Sequence, residues 1–191
     1  KVIAEADPYG PGFIQGIQRN LCWHPMKPFQ IAEAGITRTF QNIRLFKKLS
    51  VYQNVLTACH RSASYGLGIS FFPRKIPFTN IVLPWAKKIS KQEEELREKA
   101  EELLKMMGLW EYRDMAAANL PYGLQRKLEI ARALALDPKL LLLDEPAAGM
   151  NPEETFALLD LIKEIRDKFN LTVLIIEHHM DLIMNLCDRI Y

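Results

Sequence analysis

Two stretches near the end of the chain are apolar without any polar alternation. One is the run of four leucines Leu140–Leu143, and the other, Leu171–Ile176, reads LTVLII. Uninterrupted apolar runs of this length are typical of parallel strands that are covered on both faces. Between the two runs, apolar residues recur at helical spacing: Leu158, Leu161, Ile162, Ile165 and Phe169. The pattern predicts a strand, a helix and a second parallel strand joined by a right-handed crossover.

Earlier in the chain, two more helices are predicted. Ser90, with Glu93 three residues later as a capping box, opens a helix that Gly108 can end. The apolar face of that helix is Leu96, Ala100, Leu103, Leu104 and Met107, and the charge pairs Glu95–Lys99 and Glu101–Lys105 indicate a solvated opposite face. A second helix runs from about Gly123 to Leu136, where Asp137 and Pro138 interrupt it.

Two segments upstream of these helices are less regular. From Ile31 onward the sequence predicts a short helix, a turn at Gly35 and a strand reaching Gln41. Tyr65–Lys88 is aromatic and aliphatic but contains three prolines, which exclude a regular helix through it. That segment is either a loop folded onto its own domain or a surface that docks a partner.

Composition and charge restrict the class of protein but identify no binding partner. The 191 residues, of which 49% are hydrophobic, suffice for one substantial domain. A formal net charge of +2 provides no broad field for nucleic acid or anionic lipid. The three cysteines match neither a disulfide framework nor a zinc cluster, which fits a reducing cytoplasm. No apolar run reaches the roughly 18 residues of a membrane span, and no signal peptide is visible.

Candidate chemistry lies directly after the two apolar strands. Asp144 and Glu145 follow the first strand, and Glu177 and His178 follow the second. Ligands of parallel sheets bind beyond the carboxyl ends of the strands, where these side chains should meet. Mg²⁺ takes few carboxylates together with water and phosphate oxygens, so Asp144 alone is sufficient, and Glu145 can accept a proton from an attacking water. Helix capping does not explain the two acids, because Asn151, followed by Pro152, already fills the N-cap position of the next helix.

Four segments together resemble one protein family. RTFQNIRLF, LPYGLQRKLEIARAL, LLLLDEPAAGMNPEE and VLIIEHHM occur in the order and approximate spacing of the Q-loop, signature, Walker B with D-loop, and H-loop of ABC-transporter ATPase domains. Within that superfamily the sequences of these segments are similar to those of the LivG-type ATP-binding subunits of branched-chain amino-acid importers. The resemblance covers about Met26 to Tyr191.

The resemblance implies a fold and a domain organisation. The expected class is α/β: a partial P-loop NTPase (RecA-like) core with a parallel sheet, plus the α-helical subdomain of ABC proteins. Residues 26–43 would lead through the core to the Q-loop, 44–136 would form the helical subdomain with the signature, and 137–191 would return to the core. Residues 1–25 stay unassigned.

The resemblance also implies roles for single residues. Gln41 matches the Q-loop glutamine, which touches Mg²⁺ and the attacking water. Asp144 matches the Walker B aspartate on Mg²⁺, Glu145 the general base, and His178 the H-loop histidine that contacts the γ-phosphate of ATP. Its neighbour His179 matches no functional position.

The signature of the family, LSGGQ, is matched here with departures. The cofactor-binding residues implied by this motif and the D-loop are Leu120, Pro121, Tyr122, Gly123, Leu124, Gln125 and Asn151. In ABC dimers such a segment addresses the ATP of the opposite subunit, and Gly123 at a helix N-terminus would allow its close approach. Pro121 removes a hydroxyl and a backbone donor that the family's serine supplies, and Asn151 stands where many members carry aspartate.

The largest departure is that G-x-x-x-x-G-K-[ST], the phosphate-binding Walker A loop, is nowhere in the sequence. Since the chain also begins on lysine and stops soon after the H-loop match, we expect a partial sequence, truncated at both ends. Two alternatives stay open. One is a non-catalytic remnant of a nucleotide-binding domain, and the other is an ABC ATPase of DNA repair, although the coiled coils or zinc modules expected of the latter are missing.

In the transporter interpretation the cofactors are ATP and Mg²⁺. The implied partners are a second ABC ATPase subunit, identical or different, transmembrane permease subunits and, indirectly, a periplasmic or extracellular solute-binding protein, with no nucleic acid. The location would be peripheral, on the cytoplasmic face of a prokaryotic cell membrane. The transported solute is not fixed by these residues.

The missing phosphate loop generates a first prediction. Isothermal titration of the purified 191-residue chain with Mg-ATP should show no micromolar binding, because no backbone cradle or lysine is present to hold the phosphates. A complete ATPase of the same family serves as the positive control. Micromolar affinity of the 191-residue chain would contradict the expectation.

Overall fold

The structure is a computed structural model that describes residues 27–60, 84–178 and 180–190. The described α-helices are α1 Pro28–Glu33, α2 Val51–Cys59, α3 Pro84–Met106, α4 Tyr122–Leu134, α5 Pro152–Phe169 and α6 Met180–Leu186. The strands are β1 Ile36–Arg38, β2 Leu140–Asp144 and β3 Thr172–Ile176, and short 3-10 turns lie at Trp110–Tyr112 and Ala117–Asn119. The unassigned N-terminal segment, His179 and most of Tyr65–Lys88 lie outside the described residues.

The three strands form one parallel sheet in the order β1-β2-β3. Ile36 pairs with Leu140, and Leu140 pairs in turn with Thr172. The predicted unit of strand, helix and parallel strand is therefore confirmed as β2, α5 and β3. Strand β1 was predicted to reach Gln41 but ends at Arg38, because only Thr39 continues the ladder, donating its N–H to Leu142 O at 2.9 Å.

The turn at Gly35 is confirmed and sets the start of the sheet. Gly35 has φ +87°, a backbone conformation that residues other than glycine rarely adopt. Its carbonyl accepts hydrogen bonds from the N–H groups of Lys139 and Leu140, at 2.7 and 3.0 Å. A Cβ at this position would lie 3.1 Å from Lys139 Cγ. Only glycine fits without displacement, so this residue joins the turn before β1 to the beginning of β2.

One face of the sheet is covered within the described part of the chain, whereas the apolar runs predicted cover on both. Leu141, Leu143 and Val173 are buried in the cluster that also contains the apolar face of α5. On the opposite face Leu174 and Ile176 remain 41% and 52% exposed. The prediction was wrong because an uninterrupted apolar run shows that a strand can be covered, not how many layers are present to cover it.

The helices α2, α3 and α4 share the same buried cluster as the sheet. The predicted apolar face of α3 is buried as expected, and Gly108, with φ +66°, follows the end of the helix. The predicted start at Ser90 was wrong: Ser90 lies inside α3, which begins six residues earlier at Pro84. Proline is favourable at a first helical position, where its missing N–H costs no hydrogen bond.

Helix α5 begins as predicted, and the side chain of Asn151 accepts a hydrogen bond from Glu154 N at 2.8 Å. Three smaller expectations need correction. Helix α4 spans Tyr122–Leu134, so it begins one residue earlier and ends two residues earlier than predicted. Phe169 at the end of α5 is exposed because the helix stops beside it at Asn170, which has φ +50°. Lys99 forms its ion pair with Asp137 and not with Glu95, whereas the pair Glu101–Lys105 is present at 2.7 Å.

Within the described residues, no helix is both long and apolar enough to cross a membrane. The boundary proposed between residues 44–136 and 137–191 stays a prediction, because a single buried cluster contains residues from both segments.

The two faces of the sheet should respond differently to truncation of a leucine. Leu141→Ala removes a side chain that is 1% exposed and should lower the free energy of unfolding by about 2–5 kcal/mol. Leu174→Ala is the matched control on the exposed face and should cost less than about 1 kcal/mol. Urea unfolding followed by circular dichroism measures both, and equal losses would contradict the one-sided packing.

Candidate active site at the carboxyl edge of the sheet

Parallel pairing brings three distant segments together at one edge. β2 ends at Asp144 and β3 at Ile176, and these two residues are direct partners in the ladder. Glu145 follows β2 at once, His178 comes two residues after β3, and Gln41 three residues after β1. The predicted convergence of these side chains is therefore present in the structure.

The carboxylate of Glu145 is held between two of them. Gln41 Nε2 donates to Glu145 Oε2 at 2.9 Å, and His178 Nε2 lies 3.1 Å from Glu145 Oε1. The histidine donates this bond when Nε2 carries its proton. Glu145 is partly buried while His178 is exposed. The carboxylate thus has both oxygens engaged by groups that come from the other two strands.

The backbone of Glu145 is also unusual. Its φ is +44°, in the left-handed region that non-glycine residues seldom occupy, at a cost of about 1–3 kcal/mol. Its N–H still continues the ladder by donating to Ile176 O at 2.9 Å. The left-handed turn directs the chain away from the strand immediately after the ladder ends, and such strain is concentrated at functional sites.

Glu177 fixes the loop that follows Glu145. Its Oε1 accepts a hydrogen bond from the backbone N–H of Ala147 at 3.0 Å. Sequence reasoning places Glu177 at the end of a strand but finds no role for it, because the N–H that it binds lies thirty residues earlier in the chain.

Asp144 forms an ion pair with a residue that sequence reasoning missed. Arg38 Nη2 donates to Asp144 Oδ2 at 2.7 Å. The register explains the contact: Arg38 pairs with Leu142, and side chains two residues apart on a strand share a face, so Asp144 is the next residue along that face. No local signal joins two residues separated by 106 positions; the topology alone could have revealed the pair.

The donor atoms at this edge fit Mg²⁺ bound with phosphate. Asp144 supplies a carboxylate, and the carbonyl oxygen of the Gln41 side chain is available as a ligand because its amide nitrogen donates to Glu145. Among the described residues, no group of three or more His, Cys, Asp or Glu forms a complete metal site. A cation here would complete its shell with water and phosphate oxygens, as Mg²⁺ prefers.

The Leu120–Gln125 segment lies at the start of α4. Leu120 is buried, and its carbonyl accepts a hydrogen bond from Gln125 Nε2 at 2.8 Å. Pro121 is the N-cap residue of α4 without a side-chain cap, so the first backbone N–H groups of the helix have no capping side chain. Pro121 and Tyr122 are exposed, whereas Leu124 is half-buried against the core.

Gly123 does not present the open surface that was expected for a phosphate. It is buried, and a Cβ there would lie 3.3 Å from Glu154 Oε1. The absence of a side chain therefore allows α4 to pack against the first turn of α5. The atom beside this glycine is a carboxylate oxygen, so the close approach of an anion to Gly123 stays a prediction.

Tyr122 and Asn151 bring the signature segment next to the D-loop. A Cβ at Gly149, which has φ +77°, would lie 3.5 Å from Tyr122 Cε1. Asn151 uses its side chain to cap α5, and its N–H donates to Glu154 Oε2 at 3.3 Å. The Leu120–Gln125 segment and Asn151 thus adjoin the same helix end, separately from the group around Glu145.

Arg126, a second residue overlooked in the sequence, reaches from α4 to the residues around Glu145. Its Nη1 donates to Phe40 O at 2.7 Å, and its Nη2 donates to Gln41 O at 3.0 Å and to Glu145 O at 3.3 Å. Its counter-charge is Glu129, one turn along α4, at 2.8 Å. The Arg–x–x–Glu spacing is visible in the sequence, but it indicates only a pair on one helix face.

A cavity of about 840 Å³ lies on the other side of the Q-loop, between α1, β1, α2 and α4. Phe40 and Phe46 contribute to its walls, each with an arginine over its ring, Arg44 at 4.5 Å and Arg132 at 4.7 Å. Burial lowers the pKa of the Arg132 guanidinium. Gln41, Glu145 and His178 do not line this cavity, so it is separate from the candidate active site.

The fold and the similarity to known proteins assign this chain to the ABC class. The family model for ABC transporters matches residues 14–148, and the chain belongs to that family. The solved ATP-binding cassette MJ1267 of an ABC transporter aligns with a TM-score of 0.62 at 30% identity, covering 85% of this chain and 58% of that one. CbiO1 from Clostridium perfringens, part of the ABC transporter complex cbiONQ, aligns with a TM-score of 0.60 at 28% identity. The alignment covers 82% of this chain and 52% of CbiO1. The predicted P-loop NTPase fold class is confirmed.

Two of the similar curated proteins belong to transporters of branched-chain amino acids. LivG of Salmonella typhimurium, a high-affinity branched-chain amino acid transport ATP-binding protein, is 43% identical over 162 residues, which cover 85% of this chain and 59% of LivG. BraF of Pseudomonas aeruginosa, described in the same words, is 42% identical over 161 residues, 84% of this chain and 58% of BraF. The chain therefore spans somewhat more than half the length of these relatives.

The left-handed backbone at Glu145 generates a stability prediction. Glu145→Gly and Glu145→Ala both remove the contacts with Gln41 and His178, so their difference isolates the backbone. The glycine variant should be more stable by about 1 kcal/mol, because only glycine adopts φ +44° without a steric penalty. Urea unfolding of the two variants measures the difference.

The matched control for this comparison is Ala148→Gly in the same turn. Ala148 has no positive φ, so glycine there should destabilise the chain, by about 0.5–1 kcal/mol. An alanine variant at position 145 as stable as the glycine variant would show that the backbone there is not strained.

Proposed function

We propose that this chain belongs to an ATP-binding and ATP-hydrolysing subunit that energises ABC-type import of branched-chain amino acids, and that the chain alone is inactive because it lacks the Walker A loop. The observation that carries the proposal is the carboxylate of Glu145, held at 2.9 Å by Gln41 and at 3.1 Å by His178 at the edge of the sheet beyond Asp144. Family membership and the LivG and BraF relatives support the transport role.

In this proposal Glu145 is the general base. A water placed against its carboxylate would transfer a proton to it while attacking the γ-phosphate of ATP, and such assistance is worth typically about 10²–10⁴-fold in rate. The hydrogen bond from Gln41 fixes one oxygen of the base. His178, which touches the other oxygen and is itself exposed, is placed to bond the γ-phosphate or the water.

Mg²⁺ would be held by Asp144 and by the side-chain carbonyl oxygen of Gln41. When bound, the ion neutralises charge on the phosphate oxygens. Arg38 already occupies Oδ2 of Asp144, so Asp144 must either release Arg38 or ligate through its other oxygen. The exposed position of Arg38 makes release inexpensive, because exposed ion pairs contribute little to stability.

The surface formed by Leu120–Gln125 and Asn151 is proposed to face the ATP held by a second ATPase subunit. The exposure of Pro121, Tyr122 and Asn151 at adjoining helix ends supports this assignment. The carboxylate of Glu154 beside Gly123 restricts where a phosphate could approach, so contact would involve the exposed start of the segment and not its glycine.

The remaining proposed partners are those that an importer needs, and the transport role of the relatives supports them. Permease subunits would pass the solute through the membrane, and a solute-binding protein would deliver it; the chain itself would act at the cytoplasmic face of a prokaryotic membrane. The names of LivG and BraF favour branched-chain amino acids as the solute. Nucleic acid has no part in this proposal.

A second candidate is a non-catalytic member of the family. The observation that favours it is the absence of G-x-x-x-x-G-K-[ST] from the sequence. The complete set of Gln41, Asp144, Glu145 and His178, assembled at one edge, favours catalysis instead.

A hybrid protein separates the two candidates. In Salmonella LivG, the segment that matches this chain is replaced by this chain's residues, and the hybrid is produced in a strain without LivG. If the proposal holds, the hybrid hydrolyses ATP and restores leucine uptake. Glu145→Gln in the hybrid should lower the ATPase rate by about 10²-fold or more, while Mg-ATP binding persists, since the side chain keeps its shape but cannot accept the proton.

The matched control is Glu177→Gln, which changes the neighbouring strand end but keeps an oxygen acceptor for Ala147 N. Its ATPase rate should stay within about threefold of the hybrid. A hybrid that binds Mg-ATP without hydrolysing it would favour the non-catalytic candidate, as would an unchanged rate after Glu145→Gln.

A further inference from the structure

Arg126 is the most extensively buried charged side chain near the candidate active site. Its side chain is 0% exposed, and that of its partner Glu129 is 7% exposed. A guanidinium withdrawn from water in this way is costly unless its donors find acceptors. Both terminal nitrogens of Arg126 have acceptors, whereas its Nε has none. Besides Glu129, the acceptors of Arg126 include the backbone carbonyls of Phe40, Gln41 and the candidate base Glu145, and this choice of partners points to a function beyond packing.

The contacts of one nitrogen fix a distance that matters for the proposed chemistry. Nη2 binds both Gln41 O and Glu145 O, and the side chains of these same two residues bond each other at 2.9 Å. Gln41 and Glu145 are 104 residues apart in the chain, and no ladder hydrogen bond joins them in the described sheet. Arg126 therefore connects their backbones directly, at the positions from which their side chains meet.

The other half of the pair holds the Q-loop from the opposite direction. Glu129 Oε1 lies 3.4 Å from both Phe40 N and Arg44 N, and accepts from each. Arg126 Nη1 donates to Phe40 O while Glu129 accepts from Phe40 N, so both main-chain groups of one residue are bound. One ion pair on α4 thus holds the loop carrying Gln41.

We propose that Arg126, paired with Glu129, is the positioning residue of the candidate active site: it sets Gln41 against Glu145 and ties both to the helix that begins with the signature segment. This inference rests on the proposed function. Arg126 touches no reacting atom in this scheme and acts only through the placement of Glu145 and Gln41.

A point charge could not replace the guanidinium. The planar fork of arginine directs separate N–H groups to Phe40, Gln41, Glu145 and Glu129 at once, whereas a lysine ammonium offers three donors from one atom. Arg126→Lys therefore keeps the charge balance of the pair but loses the bridge between Gln41 and Glu145.

A neutral replacement of the whole pair removes the bridge without leaving a buried charge. Arg126→Met together with Glu129→Met places unbranched apolar side chains in the same volume, a kind of exchange that other buried ion pairs have tolerated. The matched control is Arg132→Met, which removes another partly buried arginine of α4 that binds Arg44 O but neither Gln41 nor Glu145.

The test measures ATP hydrolysis by these variants in the LivG hybrid. The double exchange R126M with E129M and the single exchange R126K should each lower kcat at least tenfold, with KM for ATP and the number of ATP bound per chain unchanged within twofold. R132M should retain kcat within twofold. A kcat within twofold of the unsubstituted hybrid for both R126K and the double exchange would overturn the inference.

A double-mutant cycle distinguishes positioning from general loss of structure. In the E145Q background, R126K should change the residual single-turnover rate by less than twofold, because the base through which Arg126 acts is already gone. The same tenfold loss in both backgrounds would show that Arg126 acts independently of Glu145 and would overturn the proposal.

A spectroscopic measurement on the 191-residue chain does not depend on turnover. The side-chain amide resonances of Gln41 report its bond to Glu145. R126K should shift them toward those of E145A, in which the bond is absent, whereas R132M should leave them in place. Unmoved resonances in R126K would overturn the positioning role, whereas an inactive unsubstituted hybrid would count against the proposed function alone.

Discussion

The candidate site depends on the parallel pairing of three strands. Parallel strands end at a common edge, so residues that follow them are brought together whatever their separation along the chain. The ladder continues beyond the strand ends through Thr39 N to Leu142 O and Glu145 N to Ile176 O. These two bonds fix how far beyond the strands the side chains of Gln41, Glu145 and His178 meet. In an antiparallel sheet, neighbouring strands end at opposite edges, and these three side chains would be far apart.

The parts of the structure that the sequence predicted are those with local and repeated signals. β2 and β3 are uninterrupted apolar runs, and α5 has apolar residues at helical spacing. Asn151 caps α5 as expected. The predicted start of α3 was wrong because a capping box is a local pattern, and Ser90 lies within a helix that begins further upstream, at Pro84. Short patterns identify a possible helix start but do not exclude a longer helix.

The site was only partly predictable for a related reason. The acids and the histidine were visible because they directly follow apolar strands, whereas Arg38 and Arg126 act on partners 106 and 85 residues away. Their contacts arise from register and helix placement, which no pattern of neighbouring residues encodes. At Gly123 a family motif predicted a surface that a phosphate can approach closely. In the structure, the packing of α4 against α5 places the Glu154 carboxylate beside this glycine.

β3 has a neighbour on one side only within the described sheet, where it is the last strand in the order β1-β2-β3. Its sequence TVLII is rich in β-branched residues and carries no charge. Unpaired backbone groups on such a strand are a template for the addition of further strands from other molecules. As long as no further strand pairs with this edge, it is the place where two copies of the described sheet would join, and covering it would remove that route to self-association.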